Sequence, residues 1–133
     1  MVRKIVVADS TSISQFMLAR IFVEQDIEII YVRYPRDLIA QVKYIMPDIV
    51  FLEAEISGGK GRRIVEYLQR KPETRHIPIV LITRIPGANP YGMRDWPGVC
   101  GLIRKPINSK KVLETVSKIF ESTDTPERKT EAS

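Results

Sequence analysis

The run Ile77-Pro78-Ile79-Val80-Leu81-Ile82-Thr83 decides the architecture. Four consecutive aliphatic residues follow a proline and end at a hydroxyl. No polar residue alternates through them, so the run predicts a strand covered on both faces, as in the middle of a parallel sheet. The same signature recurs along the chain. Lys4-Ile5-Val6-Val7-Ala8 and Ile49-Val50-Phe51-Leu52 predict two more such strands, Glu28–Val32 another, and the short Gly101–Arg104 the last.

Helical spacing separates these strands. Ser10, Thr11 and Ser12 offer capping hydroxyls ahead of Ile13, Phe16, Met17 and Ile21, the predicted apolar face of a first helix. Pro35 suits the first turn of a second helix, with Leu38, Ile39, Val42 and Ile45 on its inner face. Gly58-Gly59 breaks the chain before a third helix carrying Ile64, Val65 and Leu68. Asn108 and Ser109 head a last helix with the stripe Val112, Leu113, Val116, Ile119 and Phe120.

From Arg84 to Cys100 the pattern fails. Pro86, Pro90 and Pro97 alternate with Gly87, Gly92 and Gly98, so a short, broken or 3₁₀-like element is expected in place of a regular fourth helix. Strand–helix alternation repeated five times predicts an α/β fold, a doubly wound parallel sheet with helices on both faces. In such sheets function lies beyond the carboxyl ends of the strands. The residues there are Ala8-Asp9, Glu53-Ala54-Glu55, Thr83-Arg84 and Arg104-Lys105-Pro106.

Composition narrows the function classes. The 133 residues fit one domain, expected over 1–121, with a polar, disordered tail over 122–133. A single cysteine, Cys100, excludes an internal disulfide and a structural zinc cluster. A single histidine, His76, excludes a Ser-His triad accompanied by a separate metal-binding pair. The start of the chain carries no secretory pattern, and its first apolar run is too short to span a bilayer, so a cytoplasmic protein without membrane insertion is expected. The net charge of +5 is concentrated in Lys60, Arg62, Arg63, Arg70, Lys71 and Arg75. With Tyr67 as the one aromatic among them, the stretch reads as a solvated helix face, and nucleic acid is not an expected partner.

An acid after strand one, another after strand three, a hydroxyl after strand four and Lys-Pro after strand five resemble the receiver domain of two-component response regulators, of the stand-alone chemotaxis type. The likeness covers residues 3–120, and Lys71-Pro72 through Thr83 resembles the family's approach to its fourth strand. It implies a flavodoxin-like fold with five parallel strands. It also implies a phosphorylation site, in which two acids ending strand one, an acceptor aspartate and a backbone carbonyl two residues on hold Mg²⁺. The strand-four hydroxyl and strand-five lysine receive the phosphoryl group.

Matched position by position, this sequence departs from that pattern. Ala8 stands in place of the first acid, leaving Asp9, and Glu53 occupies the acceptor position. Ile56-Ser57 replaces the usual Met-Pro, although Gly58 is kept. Arg84 follows Thr83 where a small residue is usual, and Leu102 replaces an aromatic. Asp9, Thr83, Lys105 and Pro106 survive. The expectation is a relic site: Glu53 reaches toward Lys105 and Thr83, Lys105 pairs with Glu53 or Asp9, and Arg84 adds a second cation beside Glu53 and Glu55 or turns to solvent. The Lys105–Pro106 bond is expected to be cis.

The function these residues imply is that of a non-enzymatic pseudo-receiver in bacterial signalling, independent of phosphorylation. With no output domain expected after residue 120, it works by docking a protein partner or a second copy of itself. Tyr91 and Trp96 are the candidate anchors, with Leu102, Lys110 and Lys111 beside them. No metal cofactor is expected. The alternative is residual phosphoryl acceptance from a histidine kinase, with Mg²⁺ at Asp9, Glu53 and the Glu55 carbonyl. A nucleic-acid-binding regulator is the lesser alternative.

Overall fold

A computed structural model describes residues 2–124. Its strands are β1 Arg3–Ala8, β2 Ile27–Val32, β3 Ile49–Glu53, β4 Ile79–Thr83 and β5 Val99–Arg104. They form one parallel sheet in the order β2-β1-β3-β4-β5. The helices are α1 Ser12–Ile21, α2 Pro35–Ile45, the single turn α3 Ile56–Gly59, α4 Gly61–Arg70 and α5 Ser109–Asp124.

Strand alternation divides the aliphatic runs between two cores. Val6, Ala8, Val50, Leu52, Ile79 and Leu81 face α2 and α4, where Leu38, Val42, Ile64, Val65 and Leu68 meet them. Ile5, Val7, Ile49, Phe51, Val80 and Ile82 face Leu18 and Phe22 at α1 and Val112, Val116 and Ile119 of α5. Each fully buried aliphatic or aromatic side chain contributes about 1.5–3 kcal/mol, so the three central strands, apolar on both faces, anchor the domain. Between β4 and β5 the register slips after Ile79: Ile79 pairs with Val99 but Val80 with Gly101, which leaves Cys100 as the extra residue.

Three details differ from the expected pattern. The inner face of α1 is Ser14 and Leu18, with Met17 and Ile21 half-buried, whereas Ile13 and Phe16 are 71% and 63% exposed. Apolar residues surround most of this helix, so periodicity alone defines no single face. Secondly, the chain after β3 makes the separate turn α3 before α4 begins. Gly61 permits this, because a Cβ there would overlap the Ala54 carbonyl oxygen. Finally, α5 continues to Asp124, past the point where the tail was expected to begin. The remainder of that tail, residues 125–133, lies outside the described residues.

The proline- and glycine-rich connection forms a 3₁₀ segment, Pro90–Asp95, interrupted by left-handed Tyr91 (φ 49°) and Gly92 (φ 66°). Side chains hold it in place of a helix ladder. Asn89 Oδ1 accepts the Arg94 amide at 2.8 Å, Arg94 Nε donates to the Ala88 carbonyl at 2.6 Å, and the Arg104 guanidinium donates to the Gly87 carbonyl. No described helix is long and apolar enough to cross a membrane.

Candidate functional site

Adjacent strands β1 and β3 end side by side, which sets Asp9 next to Glu53, and the turn after β5 swings Lys105 across them. Lys105 Nζ lies 2.9 Å from Glu53 Oε2 and 3.1 Å from each oxygen of Asp9. Its contact with Asp9 Oδ1 is a hydrogen bond, whereas Asp9 Oδ2, buried, receives none. A third donation reaches Thr11 Oγ1 at 3.4 Å. The Lys105–Pro106 bond is cis, as expected.

Two carboxylates and one ammonium leave an excess of one negative charge. Ser10 and Thr11 answer it with four donors. The Ser10 amide and hydroxyl both donate to Glu53 Oε1, at 3.2 and 2.8 Å. The Thr11 amide and hydroxyl both donate to Asp9 Oδ1, at 2.9 Å each. The Thr11 and Ser14 hydroxyls are joined at 3.0 Å, which explains a serine on the inner face of α1. Buried charges persist when paired and hydrogen-bonded in this way. Sequence reading took these hydroxyls only as helix caps. Thr11 is indeed the N-cap residue, but its side chain makes no capping bond and turns to Asp9 instead. The signal available was their position directly after the strand-one acid.

Thr83 is fully buried, but no hydrogen bond joins it to Glu53 among the described residues. Its Oγ1 accepts the Ile85 amide at 3.1 Å, while Ser10 draws Glu53 toward β1. Arg84 is solvent-exposed, and only its backbone meets an acid, the amide donating to Glu55 Oε1 at 2.9 Å. Ala8, fully buried, supplies an apolar methyl where a second strand-one acid would stand.

These residues do not fit Mg²⁺. That ion needs near-octahedral oxygen ligation, and Lys105 already occupies the space between Asp9 and Glu53. The carboxylate of Glu55 is turned to the Arg84 amide and its carbonyl accepts the Gly59 amide at 3.2 Å. Among the described residues no three of His, Cys, Asp and Glu are grouped as metal ligands.

The candidate docking residues separate into two groups. Tyr91 is 79% exposed, and Lys110 and Lys111 are exposed on α5. Leu102, by contrast, is 5% exposed and belongs to the α2/α4 core, so it offers a partner no more than part of a groove floor. Because Cys100 is the extra residue, Val99 and Leu102, three positions apart, both face that core, and Leu102 falls in register with Leu81. Trp96 is half-buried against the same core, with the Arg62 guanidinium 5.9 Å from its ring centroid. It therefore packs inward instead of standing out as an anchor. A groove of about 510 Å³ runs between the 3₁₀ segment and α5, bordered by Arg94, Arg104, Lys110, Lys111 and Glu114.

No protein-family model matches the chain. The response regulator PleD of Caulobacter vibrioides is 35% identical over 63 residues, 47% of this chain and 14% of that protein. This chain thus spans a small part of the curated relative's length. Among solved structures, the chemotaxis response regulator CheY4 of Vibrio cholerae superposes with a TM-score of 0.80 at 16% identity, covering 90% of this chain and 99% of that one. A response regulator from Desulfuromonas acetoxidans gives 0.79 at 16% identity, over 90% and 97% of the two chains. NtrX of Brucella abortus gives 0.82 at 16% identity, over 99% of this chain and 29% of that one. Strand order, the acid pair at the ends of β1 and β3 and the lysine after β5 agree with this likeness: the chain has the receiver fold of the response regulators.

Proposed function

We propose that this chain is a receiver-fold interaction module of two-component signalling whose output does not depend on phosphorylation. The observation that carries the reading is Lys105 Nζ at 2.9 Å from Glu53 Oε2 and 3.1 Å from Asp9. An acceptor carboxylate must present an oxygen to the phosphodonor. Here Glu53 Oε1 takes two donors from Ser10, Oε2 takes Lys105, and the side chain keeps 7% of its exposure. With roughly one negative charge against the nearly two of a phosphoryl group, Glu53 satisfies Lys105 permanently.

Signalling then runs through a surface that is always on display. Tyr91 stands out from a segment stiffened by Pro86, Pro90 and Pro97, which lowers the entropy lost on docking. Lys110 and Lys111 flank the adjoining groove. The test is intact-mass spectrometry after incubation with acetyl phosphate and Mg²⁺. No phosphate adduct is expected, and backbone amide shifts should not move with beryllofluoride. A stoichiometric adduct that disappears in Glu53→Gln overturns the reading.

A further inference from the structure

Of the net charge of +5, four units arise between residues 60 and 75, where six cations face Glu66 and Glu73. The fold sorts these charges by use. Arg62 is engaged, 3.4 Å from Glu66 and over the ring of Trp96. Arg63 and Arg70 are exposed, and neither forms an ion pair among the described residues. Lying four residues before and three after Tyr67 on α4, they share its face.

The adjoining helix adds what the sequence alone did not reveal. Lys43 of α2 donates to the Tyr67 hydroxyl at 3.2 Å and lies 5.3 Å from its ring centroid. Lys71 lies 5.2 Å from the same centroid. Tyr67 is therefore flanked by two ammonium groups. Next to Lys43, Tyr44 is 88% exposed. Among the described residues Lys43, Arg63, Arg70 and Lys71 have no acidic partner, and the open ring of Tyr44 stands one position further round α2, on the side of the sheet opposite α5.

We propose that this α2–α4 ridge binds single-stranded nucleic acid. Phosphates lie along Lys43, Arg63, Arg70 and Lys71, and an unpaired base stacks on Tyr44, the pairing of cationic track and stacking ring that single strands use. An acidic protein segment would satisfy the cations but has no use for the exposed ring, and a duplex keeps its bases stacked on one another. The ridge is separate from Tyr91, Lys110 and Lys111, so the two surfaces stand or fall independently.

The test is fluorescence anisotropy of the full chain with a short fluorescein-labelled oligothymidylate across a salt series. Binding should weaken linearly in log–log form with a slope of about −3, from four phosphate contacts at about −0.7 each. Arg63→Gln with Arg70→Gln should roughly halve that slope. Tyr44→Ala should weaken oligonucleotide binding about fivefold or more while leaving heparin binding unchanged. Lys110→Gln with Lys111→Gln should change neither. Absence of binding at low salt overturns the proposal, as does wild-type affinity in the folded Arg63/Arg70 variant. So does a glutamate-rich peptide that binds as tightly as the oligonucleotide and is indifferent to Tyr44→Ala, which would make the ridge a site for acidic proteins.

Discussion

Lys105 and Glu53 form a buried ion pair, 2.9 Å from Nζ to Oε2, between side chains that retain 9% and 7% of their exposure. Removing the cation strands two carboxylates. Lys105→Met should cost about 3–5 kcal/mol in urea unfolding. Adding Glu53→Gln to that variant should return part of the loss, giving a favourable coupling in a double-mutant cycle. Equal stability of Lys105→Met and the parent would show that the pair compensates nothing.

Tyr31 ties β2 to α1 through its hydroxyl, which donates to the Gln15 carbonyl at 2.6 Å. Burial raises its pKa above the ordinary 10.0, partly offset by the Ala19 backbone. Above that ordinary value the unfolded chain releases the phenolic proton while the folded chain still holds it. Stability therefore falls as pH rises from the unfolded pKa through the folded one. Tyr31→Phe should cost about 1 kcal/mol near neutral pH, and the gap to the parent should narrow in alkaline solution. Urea midpoints measured for both proteins in the two pH ranges check the sign.

Burial separates Leu102 from Tyr91. Leu102→Ala should destabilise by about 2–5 kcal/mol, lowering the thermal midpoint. Tyr91→Ala should stay within about 0.5 kcal/mol of the parent yet lose the signalling partner in a pull-down. Because Tyr91 has φ 49°, Tyr91→Gly should be at least as stable as the alanine variant.

Two glycines near the end of β3 serve different ends. Gly61→Ala forces a methyl onto the Ala54 carbonyl and should cost about 1–3 kcal/mol. Gly59→Ala meets nothing within 4 Å, but φ is +95°, so the cost is backbone strain of about 1 kcal/mol. Thermal denaturation should rank the Gly61 variant lower.

The sheet was readable because its central strands are apolar on both faces, which leaves one arrangement open to Ile79–Ile82 and Ile49–Leu52. The face of α1 was not, because Ile13 and Phe16 compete with Leu18 and Phe22 for the same sheet. A bond from Thr11 to Ser14, invisible to hydropathy, goes with the face that is buried. In the site, the pairing of Lys105 with the acids followed from the resemblance of Asp9, Glu53 and Lys105 to a receiver. The part of Ser10 did not, since its partner Glu53 is 43 residues away. Trp96 and Leu102 turn out more buried than expected for a related reason: residue type names good contact residues but does not say whether they face the core.

The ion cluster also bears on the order in which the chain becomes organised. Ser10 and Glu53 are 43 residues apart, Glu53 and Lys105 52, and Asp9 and Lys105 96. No local turn or isolated helix can assemble such a set. Loop-closure entropy has to be overcome across most of the domain before these charges meet. Interactions absent from the folding transition state act on the unfolding rate. A cluster that forms late should act on opening, so Lys105→Met is expected to speed unfolding more than it slows folding in stopped-flow urea jumps. On the reading proposed above, Asp9, Glu53 and Lys105 serve as a clasp across the ends of three strands.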